Sequence, residues 1–293
     1  MNKIYLLFLI GTFAWLFTGC EDKPPTEFEP QYYVEAFLIV DQPFDGIKLY
    51  RTQPLNEKFD FAKAFARNVD VRIKFKDSVI TLIAKDTGDP ESWCYFYPDT
   101  TLKVQPNMLY SLEIRTPEGN VITSSTKTPE RFDWVQPPPD TIFYPKDSIN
   151  FTDQKPISIR WTSVKGTLYY IVSTICLDTL DYGKYLNPPT DEKNRRVYTP
   201  FQQNRSRSRY YYDVSNWDAI PNTEYPLSWL LFKWFGRHKV IIYTPDFNYL
   251  RWILQQFRGN QFNPLLSSVN GAIGVFGSAS KIEKEIFLIK NQP

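Results

Sequence analysis

The chain has 293 residues and nearly balanced charge, 34 Lys and Arg against 32 Asp and Glu, with a single histidine. A surface this close to neutral gives no basis for a nucleic-acid partner, and one histidine with no cysteine cluster supplies none of the usual zinc sets. Aromatic residues make up 17%, with 23 prolines against 12 glycines, a composition that favours short, half-buried strands over helices.

The N-terminus carries one cation, Lys3, then an apolar core from Ile4 to Phe17, then Thr18-Gly19-Cys20 and the polar run Glu21-Asp22-Lys23. The core is shorter than the roughly 20 residues that span a bilayer. Phe17-Thr18-Gly19 is a poor A-x-A-like cleavage site for plain secretion. The layout predicts a lipoprotein signal over 1–19 and lipidation of Cys20, with 20–30 as a proline-rich leash that cannot pack. Lipid on Cys20 would tether the chain to a membrane face. Losing Lys3 with the signal leaves 33 cations against 32 acids.

The segment 31–130 reads as an immunoglobulin-like sandwich. Tyr32 to Val40 is a strand closed by Asp41-Gln42-Pro43. Ile47 to Arg51 and Val69 to Phe75 alternate with the period of two expected of one-sided strands. Phe61 to Ala66 suits one helical turn, and Val79 to Ala84 continues the meander. Met108 to Arg115 and Val121 to Lys127 flank a Pro117-Glu118-Gly119-Asn120 turn. Tyr110 follows Gln105-Pro106-Asn107, where such sandwiches place a corner tyrosine.

After the joint Pro137-Pro138-Pro139, the segment 131–293 reads as a fibronectin III-like β domain enlarged by insertions. Ile157 to Trp161 and Tyr169 to Cys176 resemble its second and third strands. The excess length falls at Asp178 to Tyr212 and in a helix near Pro245 to Phe257. Thr244 is its expected cap, and Phe247, Leu250, Ile253, Leu254 and Phe257 its shared face. The fold class expected is all-β, two tandem immunoglobulin/fibronectin III-like sandwiches with one short helix. Cys94 and Cys176 fall in different units and are read as two separately buried thiols.

Chemistry is sparse. His238, between Arg237 and Lys239, reads as an exposed loop residue rather than a general base. No G-x-S-x-G, P-loop or dinucleotide fingerprint occurs. Gly271, Gly274 and Gly277 point to close packing or bulges rather than to phosphate. Paired carboxylates for glycoside cleavage stay open, because 32 acids are present and sequence hides their geometry. Arg205, Arg207 and Arg209, alternate residues before Tyr210-Tyr211-Tyr212, could grip anions from one side of a strand or be a solvated edge. Trp229, Phe232, Trp234 and Phe235 could stack on a sugar or pack in a core. Arg205, Arg207, Arg209, Trp229 and Trp234 are the candidate partner-binding residues.

The lipidated cysteine, the Tyr33-Val34-Glu35-Ala36 strand, Leu109 to Ile114, His238 to Tyr243 and the C-terminal Gly271-Ala272-Ile273-Gly274-Val275-Phe276-Gly277 together resemble the Bacteroidota envelope family called domain of unknown function 4249. The resemblance implies an accessory surface lipoprotein that accompanies TonB-dependent-type outer-membrane barrels, and it supplies no catalytic residue. In that setting Asp-Ser/Thr before a small or apolar residue is an O-glycosylation sequence, matched at Ser78, Thr100, Thr141, Ser148 and Thr179. Turn ends produce the same pattern without any sugar. The function expected is a non-catalytic outer-membrane lipoprotein, with no cofactor, that docks on or completes a barrel complex. Its rivals are a surface glycan-binding protein and a lipid-anchored hydrolase that uses carboxylates.

Overall fold

The computed structural model describes residues 28–54, 56–86, 88–146, 157–197, 215–255 and 264–291. Cys20, Ser148, Arg205, Arg207 and Arg209 lie outside them. Among the described residues no helix is long and apolar enough to cross a membrane. The architecture is all-β, two tandem sandwiches with one helix of two turns.

In the first unit, β1 (Tyr32–Ile39) and β2 (Lys48–Arg51) form one layer. The facing layer is a meander of β3 (Asp70–Phe75), β4 (Ser78–Lys85), β5 (Cys94–Phe96), β6 (Leu109–Arg115) and β7 (Val121–Lys127), ordered β5-β4-β3-β6-β7. Alternation decides the inward face: Val71, Ile73, Leu112, Ile114 and Ile122 meet Val34, Ala36, Leu38 and Leu49 in one core. The one helical turn is α1 (Phe61–Ala64), capped by Asp60, whose carboxylate accepts from the Ala62 and Lys63 amides. Tyr110 is the expected corner: its fully buried hydroxyl accepts from the Gln105 amide at 2.8 Å.

The second unit opposes two layers. Short β8 (Trp134–Gln136), β10 (Ile157–Trp161) and β13 (Glu224–Leu227) form a three-stranded sheet. Facing it are β11 (Tyr170–Cys176), β12 (Ser215–Ile220), β14 (Gly236–Pro245) and β15 (Ile273–Ile289), ordered β12-β11-β14-β15, with β9 (Thr141–Phe143) also paired to β15. Consecutive β10 and β11 lie in opposite sheets, which is the sandwich crossing expected of second and third strands. Trp161, Tyr170, Tyr144, Trp229 and Phe235 fill this core.

The units share β15. Its first half pairs in parallel with β1, from Tyr33 opposite Ile273 to Ile39 opposite Ala279. From Ala279 to Leu288 it pairs antiparallel with β14, and its end pairs in parallel with β9. At about 3.3 Å per residue this 17-residue strand is a spine of about 55 Å. The expected division at 130/131 therefore needs correction: Val269, Ala272 and Phe276, assigned to the second unit, pack in the first core.

The helix is α2 (Phe247–Leu254), and Asp246 rather than Thr244 caps it, accepting from the Tyr249 amide at 2.9 Å. Thr244 and Pro245 are the end of β14, where Pro245 stands opposite Ala279. The packed face also differs. Of the expected face Leu250 is buried and Phe257 lies outside the described residues, but Phe247 is 63% exposed, whereas Tyr249 packs tilted on Phe37 at 4.4 Å and Trp252 meets Tyr33 at 6.1 Å. The helix starts two residues later than expected, which leaves Phe247 as its first residue. The spine is small where the helix crosses it: a Cβ on Gly277 would come within 2.9 Å of the Tyr249 Cβ and amide nitrogen. Gly274, at φ +132°, lies where any Cβ would overlap the Val34 carbonyl. The glycines serve close packing, as expected.

Candidate functional site

An open polar cleft of about 530 Å³ lies where α2 meets the outer face of the five-stranded sheet. Strand alternation builds its floor. Lys74, Ser111 and Ser125 stand in one row across β3, β6 and β7, and Glu113 and Thr123 in the next row. Asn248 and Arg251, one turn apart on α2, form a wall with Ser268 and Asn270. Two contacts fix the wall to the floor: the Asn248 amide donates to the Ser125 and Phe276 carbonyls at 2.9 and 3.0 Å, and Thr123 and Asn270 exchange backbone bonds.

The cleft has a definite charge. Lys74 and Arg115 both bond the Glu113 carboxylate, and the Lys74 bond holds it below the ordinary glutamate range. Arg251 donates to the Ser267 carbonyl at 2.9 Å and has no carboxylate partner among the described ion pairs. Lys74 and Arg251 thus outnumber Glu113 on the lining. A general acid for glycoside cleavage needs a raised carboxyl, and Glu113 is shifted the other way.

A second cleft, about 410 Å³, is lined by Tyr185, Arg237, Asp140 and Glu285 at the far end of β15. Its charges are spent internally: Glu285 pairs with Arg237 at 3.0 Å and Asp140 with Lys284 at 2.8 Å. The Arg237 guanidinium lies 5.0 Å over the Tyr185 ring.

Among the described residues the candidate site residues do not converge. Ser78, Thr100 and Thr141 are exposed, in a hairpin, a turn and the start of β9, and Thr179 is half-buried. Trp229 is buried against Tyr144 and Phe232, so it is a core residue and not a partner anchor; its neighbour Leu230 is the exposed one. Trp234 is half-buried with Arg196 over its ring at 5.3 Å. Phe232 and Phe235 are buried too, so the run presents no stacked platform for a sugar.

His238 also needs correction. It is 1% exposed on β14, its Nδ1 3.0 Å from the Gly236 carbonyl oxygen, its ring edge-on to Phe232. Burial, not its cationic neighbours, pushes it down to about 4. Cys94 and Cys176 are separate buried thiols, and desolvation raises Cys176 to about 11. Among the described residues no three His, Cys, Asp or Glu side chains are placed to hold a metal ion. Sequence reasoning missed Lys74, Ser111, Glu113, Asn248 and Arg251, which no local motif marks.

One family model matches residues 20–285, that of the domain of unknown function DUF4249. No curated protein matches. Among solved structures, a three-immunoglobulin segment of titin, domains I67–I69 in an E-to-A mutated variant, aligns at 12% identity with a TM-score of 0.19. That alignment covers 89% of this chain and 66% of the titin chain.

Proposed function

The chain belongs to the DUF4249 family, and from that premise we propose that it is a non-catalytic lipoprotein, anchored at the outer membrane through Cys20, that docks on or completes an outer-membrane barrel complex. The family match begins at residue 20, the cysteine that the N-terminal pattern marks for lipid. A spine shared by two cores makes the body stiff enough to hold an extended contact.

The observation that carries the docking reading is a grouping of leucines on the second unit. Leu177 follows β11, Leu180 is 74% exposed just beyond, and exposed Leu230 sits where its carbonyl accepts from Asn216 at the start of β12. All three occupy the end of the sheet from which the Asp178 to Tyr212 insertion departs. Exposed apolar side chains gathered at one place mark interaction surfaces. The stretch Lys193 to Val197 is not free for this role: Val197 is buried, and Asn194 bonds the Asp178 and Phe235 carbonyls at 2.6 and 2.8 Å.

The test is co-purification from native membranes in mild detergent. The wild-type chain should bring down a barrel protein, and a Leu180→Glu, Leu230→Glu double variant should bring down much less while melting normally. Recovery of free wild-type monomer alone would overturn the docking reading.

A further inference from the structure

We propose that the cleft between α2 and the outer face of the five-stranded sheet binds a carboxylated saccharide, a ligand that is at once anionic and rich in hydroxyls. This site stands apart from the leucine surface and does not depend on barrel docking.

Three observations select that chemistry. The first is charge. Lys74 and Arg251 flank the floor and only Glu113 opposes them, so the cleft is short of one negative charge. One terminal nitrogen of Arg251 holds the Ser267 carbonyl, and no carboxylate pairs with its guanidinium among the described ion pairs. A guanidinium with free donors pairs best with a carboxylate, through two parallel bonds.

The second observation is the floor. Ser111 stands opposite Ser125, with Thr123 and Glu113 in the adjoining row. Neighbouring strands lie about 4.8 Å apart, so hydroxyls and one carboxylate repeat at about the spacing of alternate hydroxyls around a sugar ring. With both amide hydrogens spent on carbonyls, Asn248 has only its side-chain oxygen to offer, an acceptor for a ligand hydroxyl. Phe247, next to Asn248 in the chain and 63% exposed, carries Arg251 5.5 Å over one ring face and leaves apolar surface for a sugar's C–H groups.

The third observation disfavours the alternatives. An extended peptide would add to the free edge of β7, but Thr123 has already exchanged both backbone bonds with Asn270, and the Ser125 carbonyl is taken by Asn248. A phosphate would seek the amides at a helix N-terminus, and at that of α2 the Asp246 carboxylate already holds the Tyr249 amide and would repel a second anion.

The experiment is calorimetric titration of the full chain in detergent micelles with trigalacturonate. Maltotriose, inorganic phosphate and hexaglutamate serve as the neutral, phosphate and peptide probes. Trigalacturonate should bind, and maltotriose at least about tenfold more weakly, the worth of one charge-assisted pair. Arg251→Gln should remove a similar factor. Should Arg251→Gln fail to fold, Ser111→Val tests the floor from a different element, and it too should weaken trigalacturonate binding severalfold. No heat with trigalacturonate at millimolar concentration would overturn the proposal. So would unchanged affinity in a folded variant, or equal binding of hexaglutamate or phosphate with the same Arg251 dependence.

Discussion

Thr126 on β7 and Asp246 at the head of α2 are joined by a 2.6 Å hydrogen bond from hydroxyl to carboxylate. The same hydroxyl lies 2.7 Å from that of Ser278 on β15, and the other Asp246 oxygen accepts from the Ser278 amide at 3.0 Å and the Tyr249 amide at 2.9 Å. One carboxylate thus ties the edge of the five-stranded sheet, the helix and the spine, and so holds the wall of the polar cleft. Desolvation raises its pKa above the ordinary aspartate value despite these donors.

Asp246→Ala should cost roughly 3 kcal/mol, combining a lost cap with buried donors left unpaired. Asp246→Asn, which keeps one acceptor, should cost about half. Urea unfolding measures both, and a loss under about 1 kcal/mol for the alanine variant would show that the junction is held by packing alone.

Gly274→Ala should be among the most damaging single changes. The added methyl would enter the Val34 carbonyl, and the φ of +132° is strained for any L side chain. A loss of roughly 3 kcal/mol or more is expected, against about 1–2 kcal/mol for Gly119→Ala, whose positive φ is strained but opens on free space. Thermal melts of the two variants should differ clearly; equal melting temperatures would disprove the tight β1–β15 approach.

His238 makes the fold acid-sensitive. With a folded value near 4 against 6.5 for the free side chain, the native state holds fewer protons than the unfolded chain between those pH values. Stability therefore rises with pH across that window and is lost as pH falls through it, by about 2 kcal/mol between pH 7.5 and 5. Asp246 acts in the opposite sense, just above its ordinary value. His238→Phe should flatten the dependence, as urea midpoints at the two pH values would reveal; an unchanged slope would put its source elsewhere.

Cys20→Ser should abolish incorporation of an alkyne fatty acid and leave uncleaved precursor, since only a thiol accepts the diacylglyceryl group. Equal labelling of the variant would remove the anchor from the proposal.

Purified from its own cell, the protein should exceed its sequence mass by sugar as well as lipid. Exposed Ser78, Thr100 and Thr141 should be occupied before half-buried Thr179. An intact mass explained by lipid alone would leave these sequences as ordinary turn ends.

Local strand patterns were legible: Ile157 to Trp161 and Val121 to Lys127 form strands with those bounds, because alternation and turn residues agree. Alternation also held the clue to His238. Arg237 and Lys239 face outward to Glu285 and Glu283, so the residue between them must face in. Thr244-Pro245 imitates a helix start, but the β14 ladder claims both residues, and only that pairing pushes the cap to Asp246. The Trp229 run is ambiguous in sequence because core and platform use the same rings. The cleft was invisible for another reason. Lys74 and Ser111 meet across β3 and β6, and Arg251 joins them only because α2 packs against β7.

The shared spine sets a timetable as well as a shape. Tyr33 waits for Ile273 and Thr141 for Phe287, so neither sandwich can close before nearly the whole chain is available. Such distant pairings are slow to find. The chain thus stays unfinished until its final strand is present, after which both cores can set around one insertion. A fragment ending anywhere before residue 273 should emerge as two open half-sandwiches with bare edges, prey for proteases, and not as one finished domain and one missing.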